Sequence, residues 1–471
     1  MTREKYITRR AELLRNMQGE KGIALFLGNV DAPAQYRDNA YKFRQDSNWL
    51  YYFGLDEPGM AAVIDLESGE QTVFGDDVPL EDQIWTGPME SVSAQAEGIG
   101  IGRTAPMSKL SWVIADALIK GRPIHFAPAS RYATAMRLGQ LLGIDPYDCF
   151  PKGKSGCPKA SSALVKAIVS QRLIKSEDEI REIDAACDLG YRMHSIARDG
   201  IRAGVIEQEI VGEMEKIAQT EGWGVSFPTI LTQHGEIFHC HTHQCPVEPG
   251  KLMVIDAGVE SFTHYASDFT RTYPTSGRFT TKQAEIYRIV CGCHDLAFSM
   301  TRPGVSYLSV HKAVARLMLE GLAALDLVRG DVDSMAEDGI AGLFMPHGLG
   351  HNMGLDVHDM EDMGEDLVGY DEDQERSSQL GLGSLRMARK LRSGNVITDE
   401  PGIYFIPELI RNWKENGKDG GCVNYSKLEG YFDFGGIRLE DDVLVTSDGA
   451  RRLGKNRLPA TVEEIEAVMN R

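Results

Sequence analysis

The sequence predicts a mixed α/β (α+β) chain in two parts, a smaller N-terminal α/β domain over 1–172 and a larger domain over 173–471. Three observations carry this expectation. A length of 471 residues exceeds what one hydrophobic core organises. Short apolar runs alternate with helix-period segments along the whole chain. Acids and imidazoles set at strand ends or between glycines gather only in the second part, so chemistry is expected there.

The bulk numbers narrow the classes. Apolar content of 42% and charged content of 25% are those of an ordinary globular protein. A net charge of −19 argues against nucleic-acid partners and against docking on an anionic membrane surface. No stretch approaches the roughly 20 apolar residues of a membrane span. Basic residues in Met1 to Arg10 are not followed by an apolar core of signal-peptide length, so a cytoplasmic protein is expected. Cysteines at 149, 157, 187, 240, 245, 291, 293 and 422 form no regular framework, which favours reduced thiols.

In chain order, Ile23–Leu27 and Ala61–Ile64 read as strands and Leu110–Ile119 as a helix. The segment Tyr41–Ser47 reads as a polar turn leading to an aromatic strand, Leu50-Tyr51-Tyr52-Phe53. Trp85 precedes a turn at Gly87, where an indole in the core or at an edge is the plain expectation. The boundary falls near Arg172–Lys175. Ser176 with Glu179 then makes a capping box for a helix with Ile180, Ile183, Cys187 and Tyr191 on its apolar face. Further helices are expected over about 206–220, 281–299 and 306–325. The acidic stretch from Met360 to Glu375 reads as an exposed insertion.

The chemistry-bearing residues come in five places. Leu252–Ile255 is a buried-strand run that ends on Asp256, with Gly258 behind it. Asp268 follows twelve positions later, and two strands joined by a turn would bring the two carboxylates together. His347 and His351 are interleaved with Gly348 and Gly350, which argue against a helix and for backbone passing close to a ligand or metal. Glu400 ends a strand at Pro401-Gly402. Arg438 and Glu440 share one face of an alternating strand. Asp256, Asp268, His351, Glu400 and Glu440 make an oxygen-rich, thiolate-free set that suits divalent ions, manganese before zinc. Four clustered carboxylates need neutralising charge, and two metal ions would supply it. By contrast, His239, Cys240, His241, His243 and Cys245 match no zinc-finger spacing; one imidazole serving a nearby site is the expectation.

The ordered set Ile255-Asp256-Ala257-Gly258, Ser267-Asp268-Phe269-Thr270-Arg271-Thr272, His347-Gly348-Leu349-Gly350-His351, Asp399-Glu400-Pro401-Gly402 and Gly436-Ile437-Arg438-Leu439-Glu440-Asp441 resembles the pita-bread metallopeptidases. Within them it is similar to the Xaa-Pro branch, aminopeptidase P and prolidase. Tyr41–Gly54 and Ile84–Gly87 match the smaller N-terminal domain of that branch.

The resemblance implies a creatinase/aminopeptidase P-like domain over 1–172 and a pita-bread catalytic domain over 173–471. It implies two divalent ions, manganese foremost with zinc, cobalt or iron as alternatives, on Asp256, Asp268, His351, Glu400 and Glu440, with Asp268 and Glu440 bridging. It further implies His347 near the substrate backbone, His358 near the reacting carbonyl, His239 on the substrate side and Arg438 beside Glu440. The implied reaction is hydrolysis of an N-terminal Xaa-Pro bond by a hydroxide held between the two metals, with Glu400 moving the proton. The implied partner is a peptide with proline in second position. Arg386 aligns with an arginine that holds a dipeptide's carboxylate in prolidases, so a dipeptidase is the alternative. Creatinase-like enzymes and non-catalytic pita-bread binding modules lose metal carboxylates; here all five ligand positions are filled. Trp85 aligns with a tryptophan that reaches a neighbouring subunit's pocket, which implies a homodimer or homotetramer. The hairpin from Asp256 to Asp268 is one residue longer than is usual, and the extra residue is expected at its tip, where it leaves Asp268 facing the metals.

Overall fold

The computed structural model describes residues 1–469; residues 470 and 471, the end of the expected second domain, lie outside the described residues. By internal contacts the chain forms two units, Met1–Arg172 with Met360–Val368, and Leu173–Asp359 with Gly369–Arg471. Among the described residues no helix is long and apolar enough to cross a membrane.

The first unit is built on five strands, β1 (Ile23–Leu27), β2 (Ala61–Asp65), β3 (Gln71–Phe74), β4 (Thr104–Ala105) and β5 (Ile124–His125), in the order β4-β3-β2-β1-β5. β1 and β2 pair antiparallel, and the Leu110–Ile119 helix packs Leu110, Ile114 and Ala117 into the core beside them. The aromatic run expected as a strand is instead a helix, Ser47–Tyr52. Asp46 caps it by accepting from the Trp49 amide at 2.9 Å, and every residue of the helix is buried. A cap plus burial on all sides outweighs the β preference of Tyr and Trp, because a fully buried run carries no period to tell the two apart.

The stretch Met360–Val368 is not an exposed insertion. Met360, Met363 and Val368 are buried, and the segment packs within the first unit, where Lys154 pairs with Glu365 at 3.7 Å. The acids mask three anchoring side chains spaced among them. Trp85 is not a core residue either: it lies on the Leu80–Thr86 helix, 86% exposed.

Among the described residues the second unit holds ten strands: β6 (Gly224–Val225), β7 (Ile230–Thr232), β8 (Leu252–Ala257), β9 (Val259–Glu260), β10 (Phe269–Pro274), β11 (Val396–Asp399), β12 (Gly402–Tyr404), β13 (Gly436–Arg438), β14 (Asp441–Val445) and β15 (Ala450–Arg452). They form short sheets, β10-β8-β7, β11-β14-β15, β12-β13 and β6-β9. Both β8 and β10 are buried along their whole length, as strands covered on two faces must be. The Glu177–Gly200 helix, with the expected Ser176/Glu179 capping box, packs on both strands, and the Glu207–Glu221, Thr281–Met300 and Tyr307–Ala324 helices share the same core. An isolated bridge between Thr270 and Glu440 ties the β10 sheet to the turn between β13 and β14.

Candidate active site

The β8–β10 hairpin delivers the first two carboxylates. Its register is continuous, with Leu252 opposite Pro274, Asp256 opposite Thr270, Ala257 opposite Phe269, and a bridge from Glu260 to Ala266. Opposed residues share a face, so Asp256, Thr270 and the flanking Asp268 point to one side. No bulge interrupts the pairing between these points, and Asp268 faces His351 and Glu440. Gly258 permits the crossing: a Cβ there would lie 1.7 Å from the Ser267 carbonyl oxygen.

His351 and Glu400 arrive together. The Thr398 amide donates to the His351 carbonyl at 3.0 Å, and the Glu400 amide donates to Leu349 O at 2.9 Å. Glycine at 350 is required because a Cβ would sit 2.2 Å from Thr398 O; Gly348 likewise lies against Leu385. The close approach expected of these glycines is therefore to neighbouring backbone rather than to a ligand. Glu440 sits in the break between β13 and β14, its amide donating to Thr270 O at 3.0 Å.

The result is a buried group of Asp268, His351 and Glu440 whose ligand-type atoms lie within 4.8 Å of one another. Glu400 Oε1 is 3.7 Å and Asp268 Oδ2 3.5 Å from His351 Nε2. The His351 Nδ1–H donates to Asn352 O at 3.0 Å, which leaves Nε2 as the lone-pair nitrogen facing the carboxylates, the tautomer a metal ligand needs. Asp256 Oδ1 and Asp268 Oδ1 are buried without a hydrogen bond among the described residues. Burial, then the neighbouring Asp256, holds Asp268 well above the usual carboxylate range; burial, then Asp268, does the same to Glu440, and burial raises Glu400. Orphaned oxygens and carboxyls that resist ionisation fit a site whose missing charge is divalent metal.

One cation is built in. Arg438 donates to Asp256 Oδ2 at 2.5 Å, to Thr270 Oγ1 at 3.1 Å and to the Tyr404 hydroxyl at 2.8 Å. Burial alone would lower its pKa, but Tyr404, Asp256 and Glu440 hold it well above the ordinary arginine value. Thr270 in turn donates to Glu440 Oε2 at 2.6 Å, so Arg438 and Glu440 converge on one hydroxyl, in keeping with their shared face.

His347 uses both ring nitrogens within the protein. Nδ1–H donates to Gly348 O at 2.8 Å, and Nε2 accepts from the Tyr404 hydroxyl at 3.0 Å. Burial pushes it down to about 3, so the ring is neutral. The His358 ring lies against the His351 ring, centroids 4.0 Å apart and tilted by 47°. His239 is exposed beside this group; partial burial of its ring and then the neighbouring His241 lower its pKa, with smaller effects from Asp256, Arg438 and His358. Arg386 is half-buried and its charge reaches Glu400 and His347. In the cysteine-histidine segment, His243 turns inward to Leu231 O at 3.0 Å, whereas Cys245 is exposed.

Two residues of this site were not singled out from the sequence, Thr270 and Tyr404. Thr270 carried a usable signal, since period-two alternation puts it on the face of Asp268. Tyr404 is marked by glycines: a Cβ at Gly402 would lie 2.4 Å from its hydroxyl and one at Gly436 2.3 Å from its ring. That cradle joins positions far apart in the chain.

Comparison with known proteins agrees with this arrangement. Metallopeptidase family M24 matches residues 181–447, and the aminopeptidase P N-terminal domain matches residues 6–125. The chain is 30% identical to the Xaa-Pro dipeptidase of Homo sapiens, over 95% of this chain and 88% of that one. It is 28% identical to the Xaa-Pro aminopeptidase of Escherichia coli, over 100% and 98%. Among solved structures, the aminopeptidase PepP of Pseudomonas aeruginosa superposes with a TM-score of 0.80 at 28% identity, covering 100% of this chain and 98% of that one.

Proposed function

This chain belongs to metallopeptidase family M24, and we propose that within it the protein is an Xaa-Pro aminopeptidase, releasing the first residue of peptides with proline in second position. The observation that carries the reading is the meeting of Asp268, His351 and Glu440, with Asp256 and Glu400 completing an oxygen-rich set around one imidazole. These five would hold two divalent ions, manganese first and zinc, cobalt or iron next, with Asp268, His351 and Glu440 at the centre of the group. When bound, such a pair polarises the scissile carbonyl and makes a water nucleophilic near neutral pH.

The chain's own residues do the rest. Thr270 and Arg438 fix the two carboxylates on either side of them, Glu440 through the hydroxyl and Asp256 through the guanidinium. Glu400, whose carboxyl is raised by burial, takes the proton from the attacking water and passes it to the departing proline nitrogen. His239 and His358 donate to the substrate carbonyl and the oxyanion it becomes. His347 and Tyr404 orient Arg438. A proline amide has no N–H, so a pocket lacking an acceptor for one favours it over other residues.

A second reading, Xaa-Pro dipeptidase, is favoured by Arg386, whose charge reaches Glu400 and His347 and would suit a dipeptide's free carboxylate. Rates on Gly-Pro and on a longer Xaa-Pro-Xaa peptide test the two. An aminopeptidase cleaves the longer peptide faster; cleavage of Gly-Pro alone overturns the first reading. The protein works as a cytoplasmic homodimer or homotetramer in this proposal, Trp85 lining a partner's substrate pocket, and its 86% exposure supports that role.

A further inference from the structure

A cavity of about 740 Å³ lies between the Tyr307–Ala324 helix, the segment leading to His347 and the loop leading to Arg386. None of the five carboxylate and imidazole ligand positions lines it. Its inner wall is apolar, with Ala315, Ala341, Met345 and Tyr370 all buried. One polar side chain interrupts that wall. His311 is 4% exposed, and its Nδ1 is buried with no hydrogen bond among the described residues. Burial pushes this imidazole down to about 4, so it is neutral at working pH and can give or take one hydrogen bond.

The mouth carries opposite charges. Lys312, Glu337 and Glu375 are exposed, line the cavity and make no ion pair among the described residues. Arg316 is different: it is held by Asp333 at 2.5 Å and Glu320 at 2.6 Å. An apolar interior, a single buried hydrogen-bonding group and a rim of both signs are what a small zwitterion with a polar-tipped side chain requires. A purely apolar ligand would leave His311 unmet, and an anion alone would face two glutamates.

We propose that this cavity is a second small-molecule site, taking a free amino acid or dipeptide. Its carboxylate meets Lys312, its ammonium meets Glu337 or Glu375, and a hydroxyl or N–H on its side chain reaches His311. The volume is within the usual range for ligand pockets, roughly 300–1,000 Å³. The walls connect it to the active site. A Cβ at Gly342 would lie 2.3 Å from Leu380 O, and one at Gly381 would lie 2.5 Å from Met345 O. These two backbones therefore lie in direct contact, one running on to His347 and the other to Arg386.

The binding claim does not rest on the peptidase reading, and its test reads binding directly. Titration calorimetry on the full chain would use glycyl-L-tyrosine and glycyl-L-phenylalanine, which contain no Xaa-Pro bond. Tyrosine should bind about fivefold tighter, the worth of one hydrogen bond to His311. Lys312→Ala, an exposed change, should weaken glycyl-tyrosine roughly threefold to tenfold. Ala336→Trp, which fills the cavity, should abolish binding with the melting temperature held. No binding up to about 10 mM, far weaker than a specific site requires, overturns the proposal. So does binding that Lys312→Ala leaves unchanged, since that binding belongs to the catalytic cleft, and equal affinity for the two dipeptides removes His311 from the site.

Discussion

Thr270→Val is the sharpest probe of how this site is held. Threonine 270 is fully buried on β10, and valine matches its shape, so the substitution removes a hydroxyl and little else. That hydroxyl donates to Glu440 Oε2 at 2.6 Å and accepts from Arg438 Nε at 3.1 Å. The bond from Arg438 has a charged partner and contributes about 1.5–3 kcal/mol, whereas the bond to Glu440, whose carboxyl resists ionisation, contributes about 0.5–1.5 kcal/mol. Neither Glu440 nor Arg438 can turn to solvent, as they are 2% and 5% exposed. Arg438 keeps Tyr404 and Asp256, which places the loss near the lower end, about 2 kcal/mol of stability. Glu440, freed to rotate, should bind manganese about 10–100-fold more weakly. Denaturant unfolding and a chelator-competition titration measure the two effects. Thr270→Ser, which keeps the hydroxyl, should recover most of the metal affinity. If the valine protein unfolds within about 0.5 kcal/mol of the parent and binds manganese equally well, the hydroxyl does not hold Glu440 and the reasoning fails.

Glu440→Gln should lower turnover by several orders of magnitude in a protein that still folds; near-normal turnover after chelation and manganese addition would refute its role. Asp268, Glu400 and Glu440 are all raised, so the folded metal-free site binds more protons than the unfolded chain, and their contribution to stability falls as pH rises through the folded values. The gain in melting temperature on adding manganese should therefore grow from pH 5 to pH 8, with protons released on binding, measurable from buffer-dependent calorimetric heats; a gain that shrinks with pH contradicts the buried-carboxyl account. His194 and His311 have the opposite sign, both lowered to about 4 by burial, so the stability they contribute is full above about pH 6.5 and is lost as pH falls through about 4. Replacing His194 by Asn should flatten that acid limb in a circular-dichroism pH titration. Trp85→Ala should change stability by less than about 0.5 kcal/mol, as befits an exposed side chain, while raising KM; a monomer with full peptidase activity would refute the shared-pocket role.

Much of the site was legible because it depends on local rules. A buried run ending on Asp256, a carboxylate against Pro401 and the alternation that puts Arg438 and Glu440 on one face are features of a few consecutive residues, and the tertiary structure keeps them. The helices followed from period and caps, as with Ser176 and Glu179. Other features depended on what surrounds a segment. Residues 47–52 became a helix because burial on every side removes the period that separates strand from helix. Met360–Val368 became packed because Met360, Met363 and Val368 found a surface that no window of sequence contains. Gly348 and Gly350 were readable as close approaches, but only the fold could say that Leu385 and Thr398 are what they approach. Tyr404 entered the site because Gly402 and Gly436, thirty-four residues apart, leave room for its ring. Its bonds to Arg438 and His347 then decide how both are held. Sequence alone thus determined which side chains could carry the chemistry, since residue type and spacing are local. Their distances, partners and proton affinities were decided by the tertiary structure, because burial and electrostatics sum over neighbours from the whole fold.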